Sequence, residues 1–128
     1  MDFNKIGSLL MLQFSNEIKF YLSLEPVDMR KAINGLSIIV ADVLEQDPGC
    51  GHVFIFLNKS HKKLKCLFWD RNGFVMYYKR LIKGKFKLPQ HTDIGAMILT
   101  QAQLDNLLSG LDFVSLMPDF NLDINHYY

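Results

Sequence analysis

Acidic side chains are the first candidates for chemistry, because clustered carboxylates hold Mg²⁺ in many enzymes that cut nucleic acids. The candidates in this sequence are Asp28, Asp42, Asp47 and Asp70. Asp28 can cap a helix, Asp47 precedes a proline turn, Asp70 opens a hairpin turn and Asp42 falls on the solvent side of a predicted helix. No two of them are predicted to lie on adjacent strand ends. We therefore expect no catalytic residue, no metal site and no cofactor, and we interpret the chain as a binding protein, not an enzyme.

Cysteine and histidine are too sparse to indicate a zinc site. Cys50-Gly51-His52 could supply two ligands, but no second pair follows at zinc spacing. Cys66 lies in a predicted strand, and we expect each of the two thiols to be free and buried. Lys83-Gly84-Lys85 lacks the strand–loop–helix context of a phosphate-binding loop. None of these patterns predicts chemistry beyond binding.

Positive charge is concentrated in one part of a nearly neutral chain. The formal net charge is +1. Residues 1–58 carry −3, residues 59–87 carry +9 and residues 88–128 carry −5. A basic band between two acidic parts indicates an anionic partner, which the average composition conceals.

Alternation along the predicted strands places many of these cations on one face of a sheet. Lys63, Lys65 and Trp69 share a side of one strand, and we expect Tyr77 and Lys79 of the next strand to join them. Cations beside aromatic rings suit nucleic acid, because cations displace counterions from phosphates and rings stack on bases. The candidate nucleic-acid-binding residues are Arg30, Lys31, Lys63, Lys65, Trp69, Arg71, Lys79, Arg80, Lys83, Lys85 and Lys87.

Two other interpretations of the basic band stay open. An antiparallel sheet commonly has one hydrated face, and lysine is a usual residue there. Alternatively, the band could dock an acidic protein surface, including an acidic part of a second copy of the chain. Leu67 and Leu81, which we expect to be exposed on the same face, favour protein docking.

The first half of the chain predicts a strand and a helix. Residues 18–24 alternate as a strand does, and Pro26 ends it. Asp28 is a suitable N-cap for a long helix of about four turns, whose apolar residues recur at spacings of three and four. Gly35 inside this helix indicates close packing there. The helix ends before Asp47-Pro48-Gly49.

The second half predicts an antiparallel meander and a second helix. We expect strands at residues 53–57, 64–69, 74–82 and 85–88, with Asn72-Gly73 at the centre of a hairpin turn and a further short strand at 97–99. Thr100 and Gln103 have capping-box spacing at the start of a helix with Gly110 just past its end. The predicted fold is α+β: an antiparallel sheet in the order β-α-β-β-β-β-α, with a long helix on one face and a short C-terminal helix.

The chain is long enough for one domain. We divide it into an extension at residues 1–17, a single domain at 18–113 and an acidic tail at 114–128. Residues 6–14 are apolar, as in a short packed helix or an extension, but a spanning helix needs roughly 20 such residues. They also lack a small-residue cleavage site, so we expect a cytoplasmic protein that contacts no membrane.

An ordered series of motifs gives the chain a family resemblance. It begins with Val27-Asp28-Met29-Arg30-Lys31 followed by Asn34-Gly35-Leu36. It continues through Asp47-Pro48, Gly51-His52-Val53-Phe54-Ile55-Phe56, Leu64-Lys65, Trp69-Asp70, Gly73-Phe74, Lys79-Arg80-Leu81, Gly84-Lys85-Phe86, Pro89, Gln103-Leu104, Leu107-Leu108 and Gly110-Leu111-Asp112. Over residues 18–113 the chain thereby resembles the TnpB-type accessory protein, encoded by the second open reading frame, of the bacterial insertion-sequence sixty-six family.

The resemblance implies an accessory role in transposition, beside a separate transposase that carries the strand-cutting carboxylates. DNA at the element ends and that transposase are the partners it implies. The sequence departs from the family pattern at Ala32, usually Gly, at Asn34, usually Asp, and at Leu88, often Trp. Residues 58–63 replace an arginine-rich loop but keep its charge through lysines, which preserves phosphate binding and weakens an arginine-specific base contact.

Overall fold

The computed structural model describes residues 17–109. In chain order its elements are β1 (Phe20–Ser23), α1 (Ile33–Asp42), β2 (Val53–Leu57), β3 (Lys63–Asp70), β4 (Gly73–Arg80), β5 (Ala96–Leu99) and α2 (Gln101–Ser109). The α+β class is confirmed. Neither of these two helices is long or apolar enough to cross a membrane.

The five strands form one mixed sheet in the order β4-β3-β2-β1-β5. β1 and β2 are parallel, with Phe20 opposite Val53, and the other neighbours are antiparallel. The expectation of a wholly antiparallel sheet was therefore wrong at one pair. Because α1 carries the chain from the end of β1 back to the level of its start, β2 must run in the same direction as β1.

The fifth strand of the sheet is formed by residues 96–99 and not by residues 85–88. Residues 85–88 form no strand, because the backbone N–H of Phe86 donates to the His61 carbonyl at 2.6 Å and its ring is buried against the sheet. The further short strand predicted at 97–99 is confirmed as β5, which pairs with β1. The β3–β4 hairpin has Arg71-Asn72 at its centre, not Asn72-Gly73, since Asp70 pairs with Gly73.

Helix α1 is shorter than predicted and starts later. It has 10 residues, and Ala32, not Asp28, precedes it without a side-chain cap. Asp28 instead closes a turn, in which its Oδ1 accepts the Arg30 backbone N–H at 2.9 Å. Gly35 is confirmed as a close-packed position, because a Cβ there would lie 3.2 Å from Cβ and Cγ of Lys31.

The central strands β2 and β3 are buried on both faces of the sheet over most of their length. The first face carries alternate residues such as Leu22, Ile55 and Cys66, which pack with Phe86 and helix α2. The second face packs under helix α1 and includes Phe54, Phe56, Leu67, Leu36 and Val40. The predicted hydrated face of lysines therefore does not exist: helix α1 covers one side of the sheet, and helix α2 with residues 81–88 covers the other.

The capping box of α2 is confirmed, with the Thr100 hydroxyl oxygen accepting the Gln103 N–H at 3.2 Å and Gln103 Oε1 accepting the Thr100 N–H at 2.9 Å. The predictions for residues 1–16, for Gly110 as the residue past this helix and for the acidic tail lie outside the described residues. The division of the chain into 1–17, 18–113 and 114–128 stays a prediction.

The two cysteines should differ sharply in reactivity. Cys66 is buried, as expected, and burial raises the pKa of its thiol to about 12. Cys50 is exposed, which corrects the prediction that both thiols are buried. A pKa near 12 leaves about one Cys66 thiol in ten thousand ionised at pH 8. A disulfide reagent at pH 8 should modify one thiol per chain rapidly and the second only on unfolding. In Cys50→Ser no fast phase should remain, and a persisting one would contradict the buried placement.

Candidate nucleic-acid interface

Three chain segments meet at one end of the sheet. This end contains the C-terminal ends of β1, β2 and β4 and the N-terminal end of β3. Backbone hydrogen bonds join them: Val27 N–H to the Leu57 carbonyl at 2.9 Å, Leu81 N–H to Lys62 at 2.8 Å and Phe86 N–H to His61 at 2.6 Å. The segments 25–31, 58–63 and 80–87 contain nine cations and two carboxylates, Glu25 and Asp28. We call this surface the basic end. Its cations are Arg30, Lys31, Lys59, Lys62, Lys63, Arg80, Lys83, Lys85 and Lys87.

Lys65 holds the first of these segments on the sheet. Only 7% of the residue is exposed. Its Nζ donates to the carbonyl oxygens of Met29 at 2.7 Å and Lys31 at 2.8 Å, and it lies 5.5 Å from the centre of the Tyr78 ring. A buried ammonium needs such acceptors to offset its lost hydration. Lys65 is thus a positioning residue inside the protein, and no phosphate can reach its ammonium group in this structure.

A groove of about 720 Å³ opens beside this lysine. Its walls are residues 26–30, the loop after β2 and the adjoining parts of β3 and β4, with Arg30, Lys59 and Lys63 as accessible cations. The Tyr78 ring also lines it and is 47% exposed. The groove therefore combines cations with one accessible aromatic ring.

Among the described residues, Asp28 is the one carboxylate that lines this groove. Its Oδ2 lies 2.6 Å from Nη2 of Arg30. Hydrogen bonds from the Arg30 side chain and backbone lower the pKa of Asp28 from 3.8 to about 2. Because the folded pKa lies below the unfolded one, this contact stabilises the turn above about pH 4 and is lost as pH falls towards 2. At neutral pH the carboxylate is ionised and offsets one positive charge.

The structure separates the predicted site residues into groups. At the basic end it brings together Arg30, Lys31, Lys63, Arg80, Lys83, Lys85 and Lys87. Lys65 is in the core. Lys79 lies on the first face, with Nζ 3.4 Å from the carbonyl oxygen of Leu108 at the close of α2.

The predicted face of lysines between Trp69 and Tyr77 was wrong. Cross-strand partners share a face, and Trp69 is opposite Phe74 whereas Tyr77 is opposite Cys66, so the two rings lie on different faces. Tyr77 is half-buried, and burial raises the pKa of its phenol well above 10. The Trp69 ring contacts the Phe74 ring edge-on, with 5.0 Å between the two ring centroids. Trp69 and Arg71 both lie by the β3–β4 hairpin, at the sheet end remote from the basic end.

Three residues were missing from the predicted site: Lys59 and Lys62 of the basic end, and Tyr78 of the adjoining groove. The signal for the two lysines was present, because they lie in the loop that replaces an arginine-rich family segment. Tyr78 depended on the register between β3 and β4, which places its ring opposite Lys65.

A second groove, of about 560 Å³, lies between helix α1 and strand β5. Its walls include the carboxylates Glu45 and Asp93 and three exposed aliphatic side chains: Val43, Ile94 and Ile98 are 56%, 94% and 51% exposed. We call it the β5 groove.

The two leucines that were predicted to be exposed are not exposed. Leu67 is fully buried, and Leu81 packs against the core. Among residues 17–109, no three His, Cys, Asp or Glu side chains are grouped closely enough to hold a metal ion.

Comparison with protein families gives this arrangement a context. The family model of IS66 Orf2-like proteins, TnpB_IS66, matches residues 18–117. The chain belongs to this family. Membership confirms the resemblance drawn from the motifs and indicates an accessory role in transposition. The family signature Val27–Lys31 is the segment that Lys65 holds at the basic end.

Two similar proteins come from Sinorhizobium fredii (strain NBRC 101917 / NGR234). The uncharacterized protein y4jC is 35% identical over 103 residues, which cover 80% of this chain and 87% of the relative. The uncharacterized protein y4hO is 33% identical over 103 residues, covering 80% and 89%. No solved structure matches this IS66 Orf2-like chain significantly.

Replacing Lys65 should reduce stability more than replacing its neighbour on the same face. We expect Lys65→Met to lower the free energy of unfolding by about 2 kcal/mol, because two carbonyl groups lose a charged donor. Lys63→Met, on the same strand and face but partly exposed, should change it by less than about 0.5 kcal/mol. Urea unfolding followed by circular dichroism measures both. A Lys65→Met protein as stable as Lys63→Met would contradict the positioning role.

Proposed function

We propose that this IS66 Orf2-like protein is a non-catalytic accessory factor of transposition that binds DNA through its basic end. The observation that carries the proposal is the convergence of nine cations from three chain segments on one surface, against two carboxylates. Such a surface attracts the phosphate backbone, and release of condensed counterions drives its binding.

The way the cations are held also supports binding. Lys63 and Arg80 are register partners on β3 and β4, so their spacing is set by the sheet. The Arg30 segment is fixed by Lys65. Helix α1 begins directly after this segment, and the positive end of its dipole adds to the potential there. Arg30, Lys63 and Arg80 are therefore held on a fixed backbone, which reduces the ordering cost of binding a phosphate backbone.

In this proposal the protein positions DNA and the separate transposase cuts it. Contacts from lysine and arginine to phosphates give affinity and orientation but little sequence information. The accessible ring of Tyr78 in the groove can stack on an unpaired base, which would favour melted or single-stranded DNA at an element end.

Salt dependence tests the DNA-binding proposal. We expect Lys63→Gln/Arg80→Gln to weaken binding to element-end duplex DNA and to reduce the slope of log K against log salt by about 2. The matched control is Lys19→Gln/Arg71→Gln, which removes one lysine and one arginine from the opposite end of the sheet and should leave the slope unchanged. Fluorescence anisotropy over a salt series measures both. Undetectable binding by the unaltered protein at low salt would overturn the proposal.

A second function is supported by a different surface. In the alternative, the protein is an assembly module that docks the transposase without contacting DNA. The β5 groove favours this, because three branched aliphatic side chains are exposed there beside a strand that has β1 as its one neighbour among the described residues. Apolar patches next to an open strand edge are typical of protein interfaces.

Co-purification separates the two functions. We expect transposase of the same element to remain bound after nuclease treatment and to be lost, by at least tenfold, in Ile98→Asp. Val75→Asp is the control, since Val75 is also exposed and lies on a strand at the other edge of the sheet. Equal loss in both variants, or a complex that nuclease removes, would contradict docking at the β5 groove.

A further inference from the structure

The chain carries an acidic segment directly after its last described helix. No lysine or arginine follows Lys87, and residues 110–128 contain Asp112, Asp119 and Asp123. The last two aspartates lie beyond the stretch that the family model matches. The described fold leaves them without an assigned role.

The last described helix ends near the basic end. Strand β5 runs away from the basic end, since Ala96 pairs with Ser23 and Leu99 with Phe20. Helix α2 then returns, and the Lys79 ammonium lies 3.4 Å from the carbonyl oxygen of Leu108 in its last turn. Lys79 immediately precedes Arg80, which belongs to the basic end. The described structure therefore ends on the first face beside Lys79, one residue from Arg80 of the basic end.

The segment is long enough to reach the groove. Lys79 and Tyr78 lie on opposite faces of β4, which forms an edge of the sheet. A chain that starts at Lys79 has to pass around one strand, and strands are about 5 Å apart. Residues 110–128 span up to about 60 Å when extended.

From these observations we propose that residues 110–128 bind the basic end of their own chain and compete there with DNA. The inference rests on the proposed function for its second half, competition with DNA, while the contact itself is independent of it. Aspartates occupy the positions at which phosphates would bind, and because the segment is tethered its effective concentration is high. DNA must displace it, so the measured affinity falls by the fraction of molecules in which the basic end is open.

The contact is tested without DNA. The full chain is compared with Asp112→Asn/Asp119→Asn/Asp123→Asn by ¹H–¹⁵N NMR at low salt. We expect chemical-shift changes at backbone amides of residues 28–31, 58–63 and 80–87, and the same changes when salt is added to the unaltered protein. The matched control Asp42→Asn/Glu45→Gln/Asp70→Asn removes three carboxylates that lie outside the three segments of the basic end. No change at the basic end, or equal change there in the control, overturns the contact.

Competition is tested with duplex DNA and the same two variants. If the segment is bound in nine molecules of ten, the tail variant should bind DNA about tenfold more tightly, and the control should stay within twofold of the unaltered protein. Equal gains in both variants would show a general charge effect and overturn the competition. If no protein binds DNA, the proposed function fails and competition with it, whereas the NMR result still decides the contact.

Discussion

Burial of both faces of the sheet is the constraint on which the surface of this protein depends. Helix α1 covers one face, and helix α2 with residues 81–88 covers the other. Charged side chains on the central strands then have no hydrated face to occupy, and Lys65, the exception, is buried with two carbonyl acceptors. The remaining cations are displaced to strand ends and loops. A sheet covered in this way presents its charge as a compact cluster at one end.

The sequence predicted local features better than their assembly. Strand alternation separated Cys66 from Lys65, and the capping residues of α2 were identified correctly, because both depend on neighbours a few residues away. The faces of β3 and β4 were combined wrongly because alternation within a strand does not determine the register between strands. Asp28 was interpreted as a helix cap, yet its carboxylate holds Arg30 in a turn, a choice that single-residue preferences cannot decide.

The sequence predicted most of the residues of the candidate site but not how they are arranged in space. Seven of the proposed binding residues lie at the basic end because the lysine-rich loops are joined there by backbone hydrogen bonds. Lys65 could not be distinguished by type from Lys63, two residues away on the same face. What separates them is the Met29–Lys31 turn above Lys65, a contact between residues more than thirty positions apart. Long-range packing therefore buries Lys65 as a structural residue, whereas Lys63 stays accessible to a ligand.

The pairing of β1 with β5 has a consequence for how the protein is made. β1 is complete at Ser23, but the strand that covers its second edge begins at Ala96. At ribosomal rates of about 5–20 residues per second, synthesis of β5 begins roughly 4–15 s after synthesis of β1 is complete, and this edge of β1 is unpaired until then. During this interval the nascent chain exposes an apolar strand, so cotranslational folding should be slow to complete and sensitive to chaperones that shield such edges.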